Sequence, residues 1–226
     1  MTVGAILTDI EGTTTSVSFV YDVLFPYARE HIAAFVRANP DNPAVQQELE
    51  AIDREVGQTL SSEQAIEQLI EWIDEDRKIT PLKSLQGMIW AQGYVDRGFT
   101  GHVYPDAVEY LRRWHDADIP LYIYSSGSVA AQKLLFGYSD VGDLTALFNG
   151  YFDTKVGMKR DSGSYQKIAE QIGLSAERIL FLSDIVEELD AAREAGMQTA
   201  WLVRDDQADT SGTRHPVYHD FSEIRI

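Results

Sequence analysis

The spacing of hydrophobic residues changes along this chain near residue 99. The chain opens with a short apolar run, GAILTDI, which is typical of a strand buried on both faces of a sheet. Apolar residues then recur at helical spacing, and a further helix is predicted over 81–95. These recurring positions are Leu24, Ala28, Ile32 and Phe35, then Ala65, Ile66, Leu69, Ile70 and Ile73 after the candidate cap Ser62. We therefore predict that residues 16–99 are helical throughout.

From residue 100 onward, predicted helices and strands alternate. Helices are predicted over 104–116, 129–139, 161–173 and 186–196, and strands over 119–126, 147–154, 178–184 and 198–204. This alternation predicts right-handed crossovers and a mostly parallel sheet covered on both faces. The expected fold is a doubly wound α/β core, 1–15 and 100–226, interrupted after its first strand by an all-helical domain, 16–99. The tail over 205–219 is polar and turn-rich, and no chemistry is assigned to it.

Composition narrows the classes of partner. The formal net charge of −17 argues against binding to nucleic acid or to an anionic membrane surface. The chain has no cysteine, which excludes thiol nucleophiles and cysteine-based metal sites and fits a reducing compartment. No apolar run approaches the ~20 residues of a membrane-spanning helix, and Val3–Leu7 lacks the basic flank of a signal peptide. We therefore expect a cytoplasmic protein. Since the composition shows no surplus of apolar surface, we also expect a monomer.

Polar residues stand where the predicted parallel strands end. Asp9 and Glu11 follow the first strand, Ser125 and Ser126 the second, and Asp184 the fourth, while Lys159 precedes a predicted helix. Because the carboxyl ends of parallel strands share one rim of a sheet, we expect these groups to converge. Asp9 and Glu11 are two positions apart, so both side chains reach the same side.

These residue types suit phosphate chemistry with a hard metal ion. Mg²⁺ prefers oxygen ligands, commonly one or two carboxylates together with substrate phosphate, and Asp9 and Asp184 provide such carboxylates. An aspartate can also attack phosphorus and form an aspartyl-phosphate. Ser125 or Ser126, with the N–H groups of a helix start, would hold phosphoryl oxygens, and Lys159 would neutralise developing charge.

Each motif alone has a simpler interpretation. Asp-x-Glu at a strand end is usually a solvated turn, and SSGS is usually a helix cap. MKRD is usually a surface charge run, and VEELD an exposed helix face. Only their joint placement at three strand ends and one helix start favours a catalytic site.

The ordered motifs DIEGTT, YSSGS, GMK and LSD resemble the four motifs of the haloacid dehalogenase superfamily of phosphohydrolases. The resemblance covers the whole chain, since the helical insertion is similar to that superfamily's cap domain. It implies that Asp9 is the nucleophile and that Glu11 stands in the acid/base position, where the superfamily usually has aspartate.

Longer segments, including DIEGTTTSVSFVYDVLFPYA and YFDTKVGMKRDSGSYQKIA, are similar to the enolase-phosphatases of methionine salvage. That resemblance implies enolisation and then Mg²⁺-dependent hydrolysis of 2,3-diketo-5-methylthiopentyl 1-phosphate to the acireductone. It implies that Asp9, Glu11 and Asp184 hold one Mg²⁺, and that Ser125, Ser126 and Lys159 contact the substrate. Two alternatives stay open: a phosphatase for another small phosphate ester, and a phosphate-binding module without turnover.

Overall fold

Residues 2–204 and 209–226 are described by a computed structural model, and they divide into two compact units. One unit runs to Val17 and resumes at Thr100, and the other spans Ser18–Phe99. The strands are β1 (Ala5–Thr8), β2 (Leu121–Tyr124), β3 (Gly150–Phe152), β4 (Ile179–Ser183), β5 (Gln198–Leu202) and β6 (Val217–Tyr218). The α-helices are α1 (Val17–Phe19), α2 (Phe25–Ala38), α3 (Pro43–Val56), α4 (Ser62–Asp74), α5 (Thr80–Val95), α6 (Pro105–Asp116), α7 (Val129–Gly137), α8 (Ser162–Ile172) and α9 (Val186–Glu194).

The six described strands form one sheet in the order β3-β2-β1-β4-β5-β6, and every neighbouring pair is parallel. The predicted mostly parallel α/β sheet is therefore confirmed. Strand β1 lies inside the sheet, where Ile6 pairs with Leu121 of β2 and Leu180 of β4. All four β1 residues are buried, as the continuous apolar run indicated.

One face of the sheet packs on helices α8 and α9 through an aromatic and aliphatic core. Tyr124, Tyr165 and Phe181 are fully buried there, and their rings meet edge to face. This packing fixes the ends of β2 and β4 relative to the start of α8. The polar groups that follow those elements are therefore held at defined positions.

The regular secondary structure described in the Ser18–Phe99 unit is all helical, and the unit buries its own apolar cluster, which includes Ile32, Leu69 and Leu85. Between α1 and α2 the backbone has π-helical hydrogen bonding over Val20–Leu24. None of the helices among residues 2–204 and 209–226 combines the length and apolarity that crossing a bilayer would take.

Three details differ from the sequence predictions. Ser61, not Ser62, caps α4, and it forms a capping box with Gln64. No separate helix was predicted over α3, because Pro40 and Pro43, the latter the first residue of this helix, indicated a turn. Strand β6 falls in the predicted turn-rich tail, whose first four residues, 205–208, lie outside the described part of the chain.

Candidate active site

Asp9 directly follows β1 and is buried, with 4% of its surface exposed. Its N–H donates to the Leu182 carbonyl at 2.9 Å, which extends the pairing with β4 by one residue. Its Oδ1 accepts a hydrogen bond from the Ile10 N–H at 2.7 Å and lies 2.7 Å from Lys159 Nζ. The carboxylate is therefore fixed at the strand end by a backbone donor and a cation.

Lys159 bridges two buried carboxylates. Its Nζ lies 2.7 Å from Asp9 Oδ1 and 2.6 Å from Glu188 Oε2. Burial alone would lower the pKa of the ammonium, but the charges of Asp9 and Glu188 outweigh burial and raise it. Lys159 therefore remains a cation inside the site.

Glu188 lies in the first turn of α9 and faces the strand ends. Its Oε2 accepts a hydrogen bond from Ser183 Oγ at 3.1 Å. Burial, followed by repulsion from Asp9, raises the pKa of Glu188 above its usual range. Because the ammonium of Lys159 opposes that effect, the lysine and Glu188 stabilise each other's charged forms.

Asp184 follows β4 and lies against the backbone of Gly12. A Cβ built on Gly12 would fall 2.2 Å from Asp184 Oδ2, and Gly12 has a φ of +74°. Burial, and then the charge of Asp9, raise the pKa of Asp184 to about 7. Its Oδ1 is buried and has no hydrogen-bond partner. Asp184 thus presents an unsatisfied carboxylate oxygen close enough to Asp9 to be influenced by its charge.

Glu11 lies in the turn that carries Gly12 and is half-buried. The Gly12 N–H closes this turn on the Thr15 carbonyl at 2.8 Å. Arg204, just beyond β5, donates to the Thr13 carbonyl at 2.8 Å and binds Asp106 through Nη1 at 2.9 Å. The turn that bears the acid/base candidate is therefore held from both β5 and α6.

Ser125 and Ser126 differ in their surroundings. Ser125 is buried, and its Oγ accepts a hydrogen bond from the Gly127 N–H at 3.2 Å. Ser126 is exposed, and Ser128 is the N-cap of α7. The buried amide of Gln132 donates to the carbonyls of Gly127 and Phe152 at 2.8 Å each, which holds this loop on β3.

The predicted metal ligands are not gathered as a ready cluster. No group of three His, Asp or Glu side chains in residues 2–204 and 209–226 has an arrangement that could hold a metal ion. Lys159 Nζ instead contacts Asp9 directly. The unpartnered Oδ1 of Asp184 and the buried carboxylate of Asp9 nevertheless fit a hard cation, because both supply oxygen and their negative charges disfavour each other.

Glu188 was not predicted as a site residue, because VEELD is typical of an exposed helix face. The available signal was position: a helix that starts directly after a strand end brings its first turn over that end. Arg204 and Gln132 were not predicted either, because their partners are backbone carbonyls, which the sequence does not reveal.

The model of the haloacid dehalogenase-like hydrolases matches residues 3–196. The enolase-phosphatase E1 of Pseudomonas aeruginosa strain UCBPP-PA14 is 57% identical over 227 residues, covering 100% of both chains. The enolase-phosphatase E1 of Erwinia tasmaniensis is 55% identical, covering 97% of this chain and 96% of the relative.

Among solved structures, the UTR4 protein of Saccharomyces cerevisiae has a TM-score of 0.82 at 35% identity, covering 98% of this chain and 100% of that one. The L-2-haloacid dehalogenase of Xanthobacter autotrophicus shares the fold, with a TM-score of 0.55 at 19% identity, over 91% of this chain and 79% of that one. On these matches, the chain belongs to the haloacid dehalogenase-like hydrolases.

Proposed function

We propose that this hydrolase is a bifunctional enolase-phosphatase that acts on 2,3-diketo-5-methylthiopentyl 1-phosphate in methionine salvage. Relatives named enolase-phosphatase E1 match it over their full length at 55–57% identity, which supports this substrate. The structural observation that carries the proposal is the buried Asp9–Lys159–Glu188 arrangement beside Asp184 at the strand ends.

In the phosphatase reaction, Asp9 is the proposed nucleophile. An Asp9 carboxylate oxygen attacks phosphorus, the ester P–O bond breaks, and Glu11 gives a proton to the departing oxygen. Glu11 then takes a proton from water, the water oxygen attacks phosphorus, and the bond to Asp9 breaks to release phosphate. Lys159 compensates the charge on the phosphoryl oxygens throughout, and Ser125 and Ser126 hold those oxygens.

In the enolase reaction, the Glu11 carboxylate takes a proton from the carbon next to a carbonyl and delivers it to the carbonyl oxygen, which becomes the hydroxyl of the enol. Glu11 is the proposed base, since its longer side chain extends the reach of the acid/base position by one methylene. The turn from Gly12 to Thr15 and the Arg204 contact to Thr13 restrict where that carboxylate can lie.

One Mg²⁺ is the proposed cofactor, with Asp9, Glu11 and Asp184 as its ligands. Because these three carboxylates do not form a cluster in the described structure, their side chains would have to shift to bind it. The unpartnered Asp184 Oδ1 supports this assignment. Bound there, Mg²⁺ would neutralise negative charge on the phosphoryl and carbonyl oxygens of the substrate.

We also propose a separate role for each of the two units. The core, 1–15 and 100–226, carries the reaction, and the helical domain, 16–99, acts as a cap that discriminates among substrates. Within the helical unit, Tyr21 is 52% exposed and Phe19 is buried. A cytoplasmic monomer remains our expectation.

The test is an assay with the diketone phosphate that follows the enol intermediate and phosphate release separately. Wild type should produce both with Mg²⁺, and Glu11→Gln should lose at least one half of the reaction. Hydrolysis of an aryl phosphate without acireductone formation would instead indicate a phosphatase for another ester. Binding of Mg²⁺ and phosphate without turnover of any ester would indicate a binding module.

A further inference from the structure

Three consecutive backbone carbonyls, the last of them that of Lys159, each accept a hydrogen bond from a side-chain hydroxyl. Tyr124 Oη donates to the Gly157 carbonyl at 3.0 Å and Ser164 Oγ to the Met158 carbonyl at 2.8 Å. Tyr165 Oη donates to the carbonyl of Lys159 itself at 2.6 Å. We call these three side chains, Tyr124, Ser164 and Tyr165, the hydroxyl clamp.

The three side chains of the hydroxyl clamp are held firmly by their surroundings. All three side chains are fully buried, Tyr124 on β2 and the other two on α8. Gly157, with a φ of +148°, passes so close to α8 that an added Cβ would lie 2.1 Å from Ser164 Oγ. Burial also raises the pKa of Tyr124 and of Tyr165, so both phenols keep the proton that they donate.

The place of the ammonium depends on this backbone. A lysine side chain has four methylenes and many rotamers, so its charge is defined only when its backbone and its ion partners are both fixed. Lys159 Nζ must stay within contact of both Asp9 and Glu188. It also lies 5.9 Å from the centre of the Tyr124 ring, so one clamp residue is near both ends of the lysine.

We propose that the hydroxyl clamp consists of positioning residues, which hold the Gly157–Lys159 backbone so that the Lys159 ammonium lies between Asp9 and Glu188. The effect on catalysis rests on the proposed function, whereas the positioning of the ammonium does not. Tyr165 dominates, because its hydroxyl contacts the residue that carries the charge.

The first experiment measures Lys159 without any substrate. Brief acetic anhydride labelling, located by mass spectrometry, compares Lys159 with the exposed Lys78 in wild type, Tyr165→Phe, Tyr124→Phe and Ser164→Ala. Losing one hydrogen bond should raise Lys159 labelling about fivefold relative to Lys78. Tyr151→Phe is the matched control, since its hydroxyl donates to the Thr145 carbonyl at 3.5 Å outside the clamp. Lys159 labelling equal to this control in all three clamp variants would overturn the proposal.

The second experiment separates positioning from general stabilisation. Affinity for inorganic phosphate with Mg²⁺ is measured by calorimetry for Tyr165→Phe, Lys159→Met and the double variant. Tyr165→Phe should weaken phosphate binding about tenfold, as for a displaced charged contact, and should change nothing in the Lys159→Met background. An equal loss in both backgrounds would overturn the proposal.

The outcomes also distinguish this inference from the proposed function. If clamp variants expose Lys159 but wild type does not convert the diketone phosphate, the substrate assignment fails and the positioning role stands. If wild type converts it and kcat in Tyr165→Phe equals that in Tyr151→Phe, the inferred effect of the clamp on catalysis is wrong, while the labelling decides the positioning of the ammonium. A tenfold lower kcat with little change in KM would support both.

Discussion

At the scale of single residues, Gly12 shows why small size matters at this strand end. The left-handed φ of +74° and the contact with the Asp184 carboxylate are separate demands. Any other residue at position 12 would be strained by this φ, and its Cβ would clash with the Asp184 carboxylate. The sequence Glu-Gly-Thr therefore brings the Asp184 carboxylate against the turn that holds Glu11.

Gly12→Ala should lower activity by more than its loss of folding stability explains. Left-handed strain costs about 1–2 kcal/mol, while displacement of Asp184 should lower phosphate release about a hundredfold. Gly173→Ala is the matched control, because its φ is +79° and an added Cβ meets nothing within 4 Å. Urea denaturation and initial rates check the two effects, and equal activity in both variants would contradict this account of Gly12.

Glu188 should matter for charge rather than for shape. Glu188→Gln leaves Lys159 with one anionic partner, so we expect kcat to fall at least tenfold, about 1.4 kcal/mol in the barrier. The adjacent Glu187 is exposed, and Glu187→Gln should leave the rate unchanged. Steady-state phosphate release measures both, and matching rates would argue that Glu188 is merely buried.

At the scale of elements, short loops following strands carry the site, and the helices behind them fix those loops. Ser183 at the end of β4 both accepts from the Ile185 N–H and donates to Glu188. A single hydroxyl therefore joins the strand end to the first turn of α9. This contact holds Glu188 where its carboxylate meets Lys159, which comes from a different part of the sequence.

The start of α4 gives a test of local stability. Ser61 accepts from the Gln64 N–H, and the Gln64 side chain accepts from the Ser61 N–H. Ser61→Ala should lower the free energy of unfolding of the helical unit by about 1 kcal/mol. Ser62→Ala, one residue inside the helix, should be close to neutral. Hydrogen exchange at the α4 amides measures the difference. A larger loss of stability in Ser62→Ala than in Ser61→Ala would show that Ser61 is not the N-cap.

Elements with a clear hydrophobic pattern were predictable from the sequence. Elements that exist only through pairing with another element were not. Buried apolar runs predicted β1, β2, β4 and β5, because parallel strands need no polar alternation. Strand β6 has only two residues and exists through its pairing with β5. Helix α3 did carry an apolar pattern, but its proline at the first position resembles a turn as much as a helix start.

The site followed the same rule. The closeness of Asp9 and Asp184 was predictable because parallel strands bring their carboxyl ends to one rim, whereas the role of Ser125 stays a prediction. Glu188 and Tyr165 were not predictable, since their roles come from contacts with Lys159. A sequence displays which groups have charge, but not which carbonyl a buried hydroxyl will reach.

At the scale of the whole molecule, the net charge of −17 makes the protein responsive to cations. We expect Mg²⁺ to raise the melting temperature more than NaCl does at equal ionic strength, because Mg²⁺ at a hundred times its dissociation constant adds about 2.7 kcal/mol to the free energy of unfolding. Asp184→Asn should remove this specific gain without lowering metal-free stability, because a buried charge beside Asp9 is lost. Chelation should abolish phosphate release. Equal effects of the two salts would contradict a specific metal site.

The placement of β1 in the sheet also has a consequence for biosynthesis. Its partners at Leu121 and Leu180 leave the ribosome long after Ile6 does, whereas the helical unit of Ser18–Phe99 has its complete apolar cluster by then. Closing such long loops is entropically costly and slow. The nascent chain should therefore fold its insertion first, and Asp9 should reach its final surroundings only when β4 has been made.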